Sequence, residues 1–192
     1  MLHASRTLAS RLSLLAALLG ATVTCGNGTD SSEAPTISIQ ARINGGTWRP
    51  GTGPGSPLPY ATLYEGNGVL SVGGLSGAPP RMEELNLSLH EVTGPGTFLL
   101  ADTATKTSAT YILIEGHLSD PDYRWTWYRT SDSVGGSVVL TTFEPGSHRL
   151  RGTFRFDALS PQGVLVHVTD GSFDGRYNTS PLAGLRAAAP AP

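Results

Sequence analysis

The chain has 192 residues, 39 % hydrophobic and 15 % charged, with 24 glycines and 14 prolines. Backbone punctuation at that density excludes a long-helix bundle and favours many short elements joined by turns. A formal charge of −2 excludes a strongly basic nucleic-acid binder, and a single cysteine excludes an intramolecular disulfide framework or a multi-thiolate metal site.

Residues 1–11 carry Arg6 and Arg11 and no acid, and residues 12–23 (LSLLAALLGATV) are almost wholly apolar. A positive start before about a dozen apolar residues is the architecture of a secretory signal peptide, and it is shorter than the roughly 20 residues of a membrane span. Residues 1–24 are therefore predicted to be a signal peptide. Cys25 follows at once, in the position that the lipobox of bacterial lipoproteins gives to its lipidated cysteine. Thr22-Val23-Thr24 departs from the usual Leu-like and small residues of that motif. Ordinary secretion with a free thiol and an uncleaved anchor are the alternatives to lipidation at Cys25. Residues 25–35 are polar and turn-rich and read as a flexible tether. Residues 36–180 form the predicted β domain, and residues 181–192 a disordered tail.

Inside that domain the hydrophobic period is two. Ile37, Ile39, Ala41 and Ile43 alternate with Ser38, Gln40 and Arg42. Asn44-Gly45 is a type I′ hairpin pair, which places Trp48 opposite Ala41. Residues 50–59 and 72–80 are rich in Gly and Pro and are predicted loops, separated by a turn at residues 65–68. Leu85, Leu87 and Leu89 then alternate with polar residues, and turns follow at residues 94–96, 131–136 and 144–148. From 149 to 157, Leu150, Gly152, Phe154 and Phe156 oppose Arg149, Arg151, Thr153, Arg155 and Asp157. Asp170-Gly171 is a second predicted hairpin turn, between 164–169 and 172–178. The count is about ten to twelve short strands with no helix after residue 24. Strands so spaced imply an all-β fold, an antiparallel β-sandwich or a half-closed barrel.

Asn44-Gly45-x-x-Trp48, Gly94-x-Gly96-Thr97-Phe98 and the run from Gly136 to Thr141 also form a recognisable set. With Gly152-Thr153-Phe154-x-Phe156-x-Ala158 and Val168-Thr169-x-Gly171-x-Phe173, they resemble segments of a family of bacterial lipoproteins known only as a domain of unknown function. The resemblance spans about residues 42–173. It implies a signal peptide, a lipobox and an all-β domain, and it supplies no catalytic residue.

Five constellations are candidates for chemistry. Trp125, Trp127 and Tyr128, with Arg124 or Arg129 as a polar rim, could form an aromatic platform for a sugar ring or a peptide. The competing reading puts the tryptophans in the core, with Tyr128 covering an edge. His167, Ser172 and Asp174 share a face if Asp170-Gly171 turns a hairpin, with His167 opposite Asp174. Neighbours along one strand do not reproduce the opposed contacts of a Ser-His-Asp triad, so a cross-strand surface pair is expected instead. The run from Asp170 to Gly175 mimics the start of a calcium loop, but Pro181 stands where a bidentate Glu is required. Asp120 and Asp122 read as a turn. Finally, Arg149, Arg151 and Arg155 could grip an anion, against the alternative of a solvated strand face. The histidines lack metal-type spacing, and no phosphate or dinucleotide fingerprint occurs, so no cofactor or metal is predicted. Asn27, Asn86 and Asn178 begin N-x-S/T sequons.

The resulting expectation is an exported, lipid-anchored protein of the bacterial cell envelope with a non-enzymatic binding or scaffolding role. Its partners would be the membrane, through an N-terminal lipid, and an envelope protein, peptide or glycan. A small apolar-ligand carrier with a β-barrel cavity is the alternative, and a hydrolase stands third.

Overall fold

The computed structural model describes residues 37–51, 58–101 and 107–181. The expected signal peptide, the tether with Cys25, the middle of the 50–59 loop and the tail beyond residue 181 lie outside them. Twelve strands follow in chain order: β1 (Ile37–Ile43), β2 (Gly46–Trp48), β3 (Tyr60–Tyr64), β4 (Val69–Ala78), β5 (Arg81–Leu89) and β6 (Gly96–Leu100). Then come β7 (Ser108–Glu115), β8 (Arg124–Arg129), β9 (Gly136–Glu144), β10 (Arg149–Leu159), β11 (Leu165–Arg176) and β12 (Asn178–Ser180). Among the described residues there is no helix.

Hydrogen bonds join all twelve into one open sheet, ordered β12-β3-β4-β5-β7-β8-β10-β11-β1-β2, with β9 attached to β10 and β6 to β9. The sheet is mixed, because β12 runs parallel to β3 while every other pair is antiparallel. Tyr177 alone separates β11 from β12, so one continuous chain pairs first with β1 and β10 and then reaches β3. Its ring is buried and stacks on Phe143 at 5.3 Å.

The alternation read from the sequence is the alternation of burial. Leu85, Leu87 and Leu89 of β5, the apolar series of β10, and Ile37, Ile39 and Ala41 of β1 enter one core. Both residues of the Asn44-Gly45 turn have positive φ (50° and 82°), and Trp48 lies opposite Ala41. Trp48 is 1 % exposed, and its indole N–H donates to the backbone carbonyl of Glu83 on β5 at 3.1 Å. This bond clamps the β1–β2 hairpin against a strand far from it in sheet order.

Within β10 and β11, glycine and phenylalanine pair reciprocally. Gly152 lies opposite Phe173, and Phe154 opposite Gly171, with the two rings stacked 6.2 Å apart. A Cβ on Gly152 would come within 2.5 Å of the Phe173 ring, so each glycine is the seat of the ring across from it.

Two expectations are corrected. Asp170-Gly171 is not a hairpin turn, because β11 runs straight through it, flanked by β1 and β10 along both halves. Asp170, at φ 50°, is the extra residue of a β-bulge. On β1 the register steps from Gln40↔Ser172 to Arg42↔Thr169, and on β10 from Phe154↔Gly171 to Phe156↔Val168. A two-residue hairpin and a one-residue bulge both bring Val168 and Phe173 to one face, so the alternation fits either. The second correction concerns residues 72–80, which are strand as far as Ala78. Their glycines serve close packing: Gly73 lies under the Tyr60 hydroxyl and the Leu85 carbonyl, and a Cβ on Gly74 would stand 2.6 Å from Pro50.

Trp48→Phe keeps most of the buried ring but leaves the Glu83 carbonyl without its donor, so it should destabilise by about 1–3 kcal/mol. Gly152→Ala should lose a similar ~1–3 kcal/mol through overpacking against Phe173. Urea unfolding of both variants measures this; an unchanged midpoint for Trp48→Phe would show that the bond carries no weight.

Candidate binding surfaces

β8 (RWTWYR) divides the residues singled out in the sequence between two faces. Trp125, Trp127 and Arg129 point outward; Arg124, Thr126 and Tyr128 point to the other side. Tyr128 packs against the core and lies 5.4 Å from Tyr111, while the Arg124 guanidinium pairs with Glu115 at 2.8 Å. The tryptophans are not core residues: Trp125 is 48 % exposed and Trp127 38 %. Thus Trp125 and Trp127 share their face with Arg129, and not with Tyr128 or Arg124.

Their order is a ladder. The Tyr123 ring meets Trp125 edge-on at 6.2 Å, Trp125 lies 6.2 Å from Trp127 with planes 29° apart, and the Arg129 guanidinium sits 5.2 Å from the Trp127 ring centre. A cation over an exposed ring contributes about 0.5–1 kcal/mol. Beside the ladder on β7, Ile114 stands opposite Trp125 and Ile112 opposite Trp127, both buried without belonging to the main core. Thr130 ends the strand: its buried hydroxyl donates to the Ala101 carbonyl at 2.7 Å and accepts from the Ala109 N–H.

The register continues this face across the sheet. One row runs Trp127, Ile112, Glu84 and Leu75; the next runs Arg129, Thr110, Asn86, Gly73 and Tyr60. In the second row the Asn86 amide donates to the Tyr60 hydroxyl at 2.5 Å and to the Ser71 hydroxyl at 3.0 Å. Burial pushes the Tyr60 hydroxyl pKa up, and the Asn86 bond pulls it partly back. In the first row Glu84 stands between Leu75 and Ile112, and burial raises its carboxyl above the ordinary value. The outer face therefore offers aromatic area at β8 with a carboxyl and an amide two strands away.

A second surface was not legible in the sequence. A groove of about 1010 Å³ crosses the outer side of β9, β10, β11 and β1 and ends against Arg49, Pro50 and Pro59. Its floor carries Ser38, Gln40, Thr153 and Ser172, with Arg151 and Asp174 beside them.

The remaining constellations resolve into polar pairs between neighbouring side chains. His167 lies opposite Asp157, not Asp174, and its Nδ1 is 2.8 Å from that carboxylate. Asp174 is shared by Arg149 at 2.6 Å and Arg151 at 2.5 Å, and Asp170 faces Arg42 at 3.6 Å. The carboxylates of the calcium-like run are thus engaged by arginines, and two cations of the arginine row, Arg149 and Arg151, by Asp174. Among the described residues no three His, Cys, Asp or Glu side chains are grouped as a metal site.

A family assignment agrees with this geometry, because the match spans residues 35–175 and so takes in β1 to β10 and nearly all of β11. The chain belongs to the DUF6252 family, a domain of unknown function. No curated protein and no solved structure matches it. Both surfaces, the ladder of β8 and the groove across β1, β10 and β11, lie within the DUF6252 span.

Glu84 sets a pH dependence. Its pKa is higher in the folded chain than in the unfolded one, so the folded state holds the proton more tightly. The stability it contributes is full below the unfolded carboxyl pKa and is lost as pH rises through the folded value. Glu84→Gln should flatten that part of the stability–pH curve and be more stable than wild type at neutral pH. Denaturant midpoints from acid to neutral pH test this; parallel curves would contradict it.

Proposed function

We propose that this chain is an exported, lipid-anchored, non-enzymatic binding module of the bacterial envelope that takes its partner on the Trp125–Trp127 ladder. The observation that carries the reading is the exposure of two neighbouring indoles, flanked across the β7–β8 ladder by buried Ile112 and Ile114. Stacked, half-exposed indoles supply a large rigid contact area at little entropic cost, which suits a sugar ring or a peptide side chain. Arg129, Asn86 and Glu84 on the same face provide polar partners around it.

The interior favours surface recognition over carriage of an apolar ligand. Among the described residues, Trp48, Tyr177, Phe173, Leu70 and the leucines of β5 are packed into one core, and the 1010 Å³ groove lies on the outside of the sheet. Export and anchoring rest on the leader and on Cys25. Acyl chains there contribute about 0.8 kcal/mol per buried CH₂, so two or more hold the domain at a membrane.

Two measurements test the reading. Mass spectrometry of the mature N-terminus should show an acylated Cys25 in wild type and loss of membrane retention in Cys25→Ala; an unmodified Cys25 in exported protein overturns the anchor. Wild type should also co-sediment with purified cell-wall sacculi, which present both sugars and peptides. The Trp125→Ala/Trp127→Ala variant should lose at least about tenfold in affinity, or ~1.4 kcal/mol, with its fold intact. Equal sedimentation of wild type and variant would remove the ladder from the binding role.

A further inference from the structure

β2 is three residues long and stops opposite Ala41, so on that side β1 has a strand partner only from Ala41 to Ile43. From Ile37 to Gln40 the edge of β1 turned away from β11 has no strand beside it among the described residues. The chain leaves at Arg49-Pro50, where proline has no N–H to continue the ladder. It crosses to the other part of the sheet, where the Gly51 N–H donates to the Leu75 carbonyl at 3.0 Å. The gap left behind coincides with one end of the 1010 Å³ groove, between Ile37–Gln40 and the wall of Arg49, Pro50 and Pro59. Side chains of a strand alternate between faces, so four consecutive residues lining one groove means that it reaches the backbone as well as the side chains.

The groove is positively charged. Arg151 and Arg149 share the single carboxylate of Asp174, and among the described residues no carboxylate pairs with Arg49. Ser38, Gln40, Thr153 and Ser172 line the floor with short polar side chains that do not block approach.

We infer that an extended acidic segment of a partner protein adds as a strand to β1 along Ile37–Gln40, beyond the end of β2, with its carboxylates toward Arg49. A row of unpaired backbone N–H and C=O groups is a template for another extended chain. Four residues of edge span about 13 Å, enough for a short strand of the partner. A charged sugar could answer the arginines but lacks the repeating amide donors and acceptors that match a strand edge. This site is separate from the β8 ladder and stands whether or not the ladder binds anything.

The test is calorimetric titration of the full chain with the acetylated, amidated heptapeptide Thr-Val-Asp-Val-Asp-Val-Thr, with amide shifts followed by NMR. Binding is expected, with the largest shifts at Ile37–Gln40 and an affinity that falls as salt rises. N-methylation of alternate peptide amides should weaken it at least about tenfold, because methylated amides cannot donate to a strand edge. Lys in place of both Asp should weaken it to a comparable extent. Arg49→Ala should weaken it about fivefold or more, while Leu118→Ala, an exposed residue outside the groove, should leave it unchanged. The salt dependence of wild type keeps the charge argument testable should Arg49→Ala fold poorly. No binding at about 1 mM peptide, equal binding of the N-methylated or lysine peptide, or shifts away from β1 each overturn the inference. So does tighter binding of a galacturonate trisaccharide at the same residues.

Discussion

The hydrogen bond from the Trp48 indole to the Glu83 carbonyl is the constraint on which the arrangement turns. A three-residue strand cannot hold a hairpin by its own ladder, since an isolated two-stranded hairpin is marginal in water. Burying the largest side chain in the protein, and satisfying its one polar atom on β5, fixes where the β1–β2 hairpin sits relative to β4 and β5. The short length of β2 also leaves the remainder of β1 unpaired on one side. The same residue that closes the core therefore opens the groove.

The rest of the molecule reconciles strand twist with a filled interior. The bulge at Asp170 lets β11 keep its apolar residues inward on both sides of one inserted residue, and a bulged strand bends and twists more strongly. The paired glycines and phenylalanines of β10 and β11 bring two rings over adjacent strands without widening the sheet. Tyr177 then carries the chain from β11 into β12 and onto β3, so the last strand brings the two halves of the sheet together. On the outer face, buried Ile112 and Ile114 flank the exposed indoles across the β7–β8 ladder.

The candidate sites in this architecture are surfaces. Charged side chains that might suggest chemistry are used in cross-strand pairs, such as His167 with Asp157 and Asp174 with two arginines. The two surfaces proposed for recognition are one of aromatic stacking, along β8, and one of open backbone with net positive charge, along β1. They stand on different strands of the sheet and call for different partner chemistry.

Local alternation was enough to place the strands, because a side chain's face in a strand depends only on whether its position is odd or even. That rule identified β1, β5 and β10 with their buried residues, the Asn44-Gly45 turn and the pairing of Trp48 with Ala41. The platform grouped from the sequence joins Tyr128 and Arg124 to Trp125 and Trp127, whereas alternation along β8 puts Tyr128 and Arg124 on the opposite face. The rule could not tell which face is buried on β8, since a strand with aromatics on both sides has no polar side to betray the outside. Nor could it separate a bulge from a hairpin at Asp170-Gly171, because both preserve the inward phase. Glycine-rich residues 72–78 looked like loop, for the spacing they permit exists only once Pro50 and Tyr60 arrive from elsewhere. The groove at β1 has no sequence signature at all. The chain alone determined an all-β molecule and the facing of most of its strands; tertiary structure decided which neighbours each strand found, and so which edges and rings remained open to a partner.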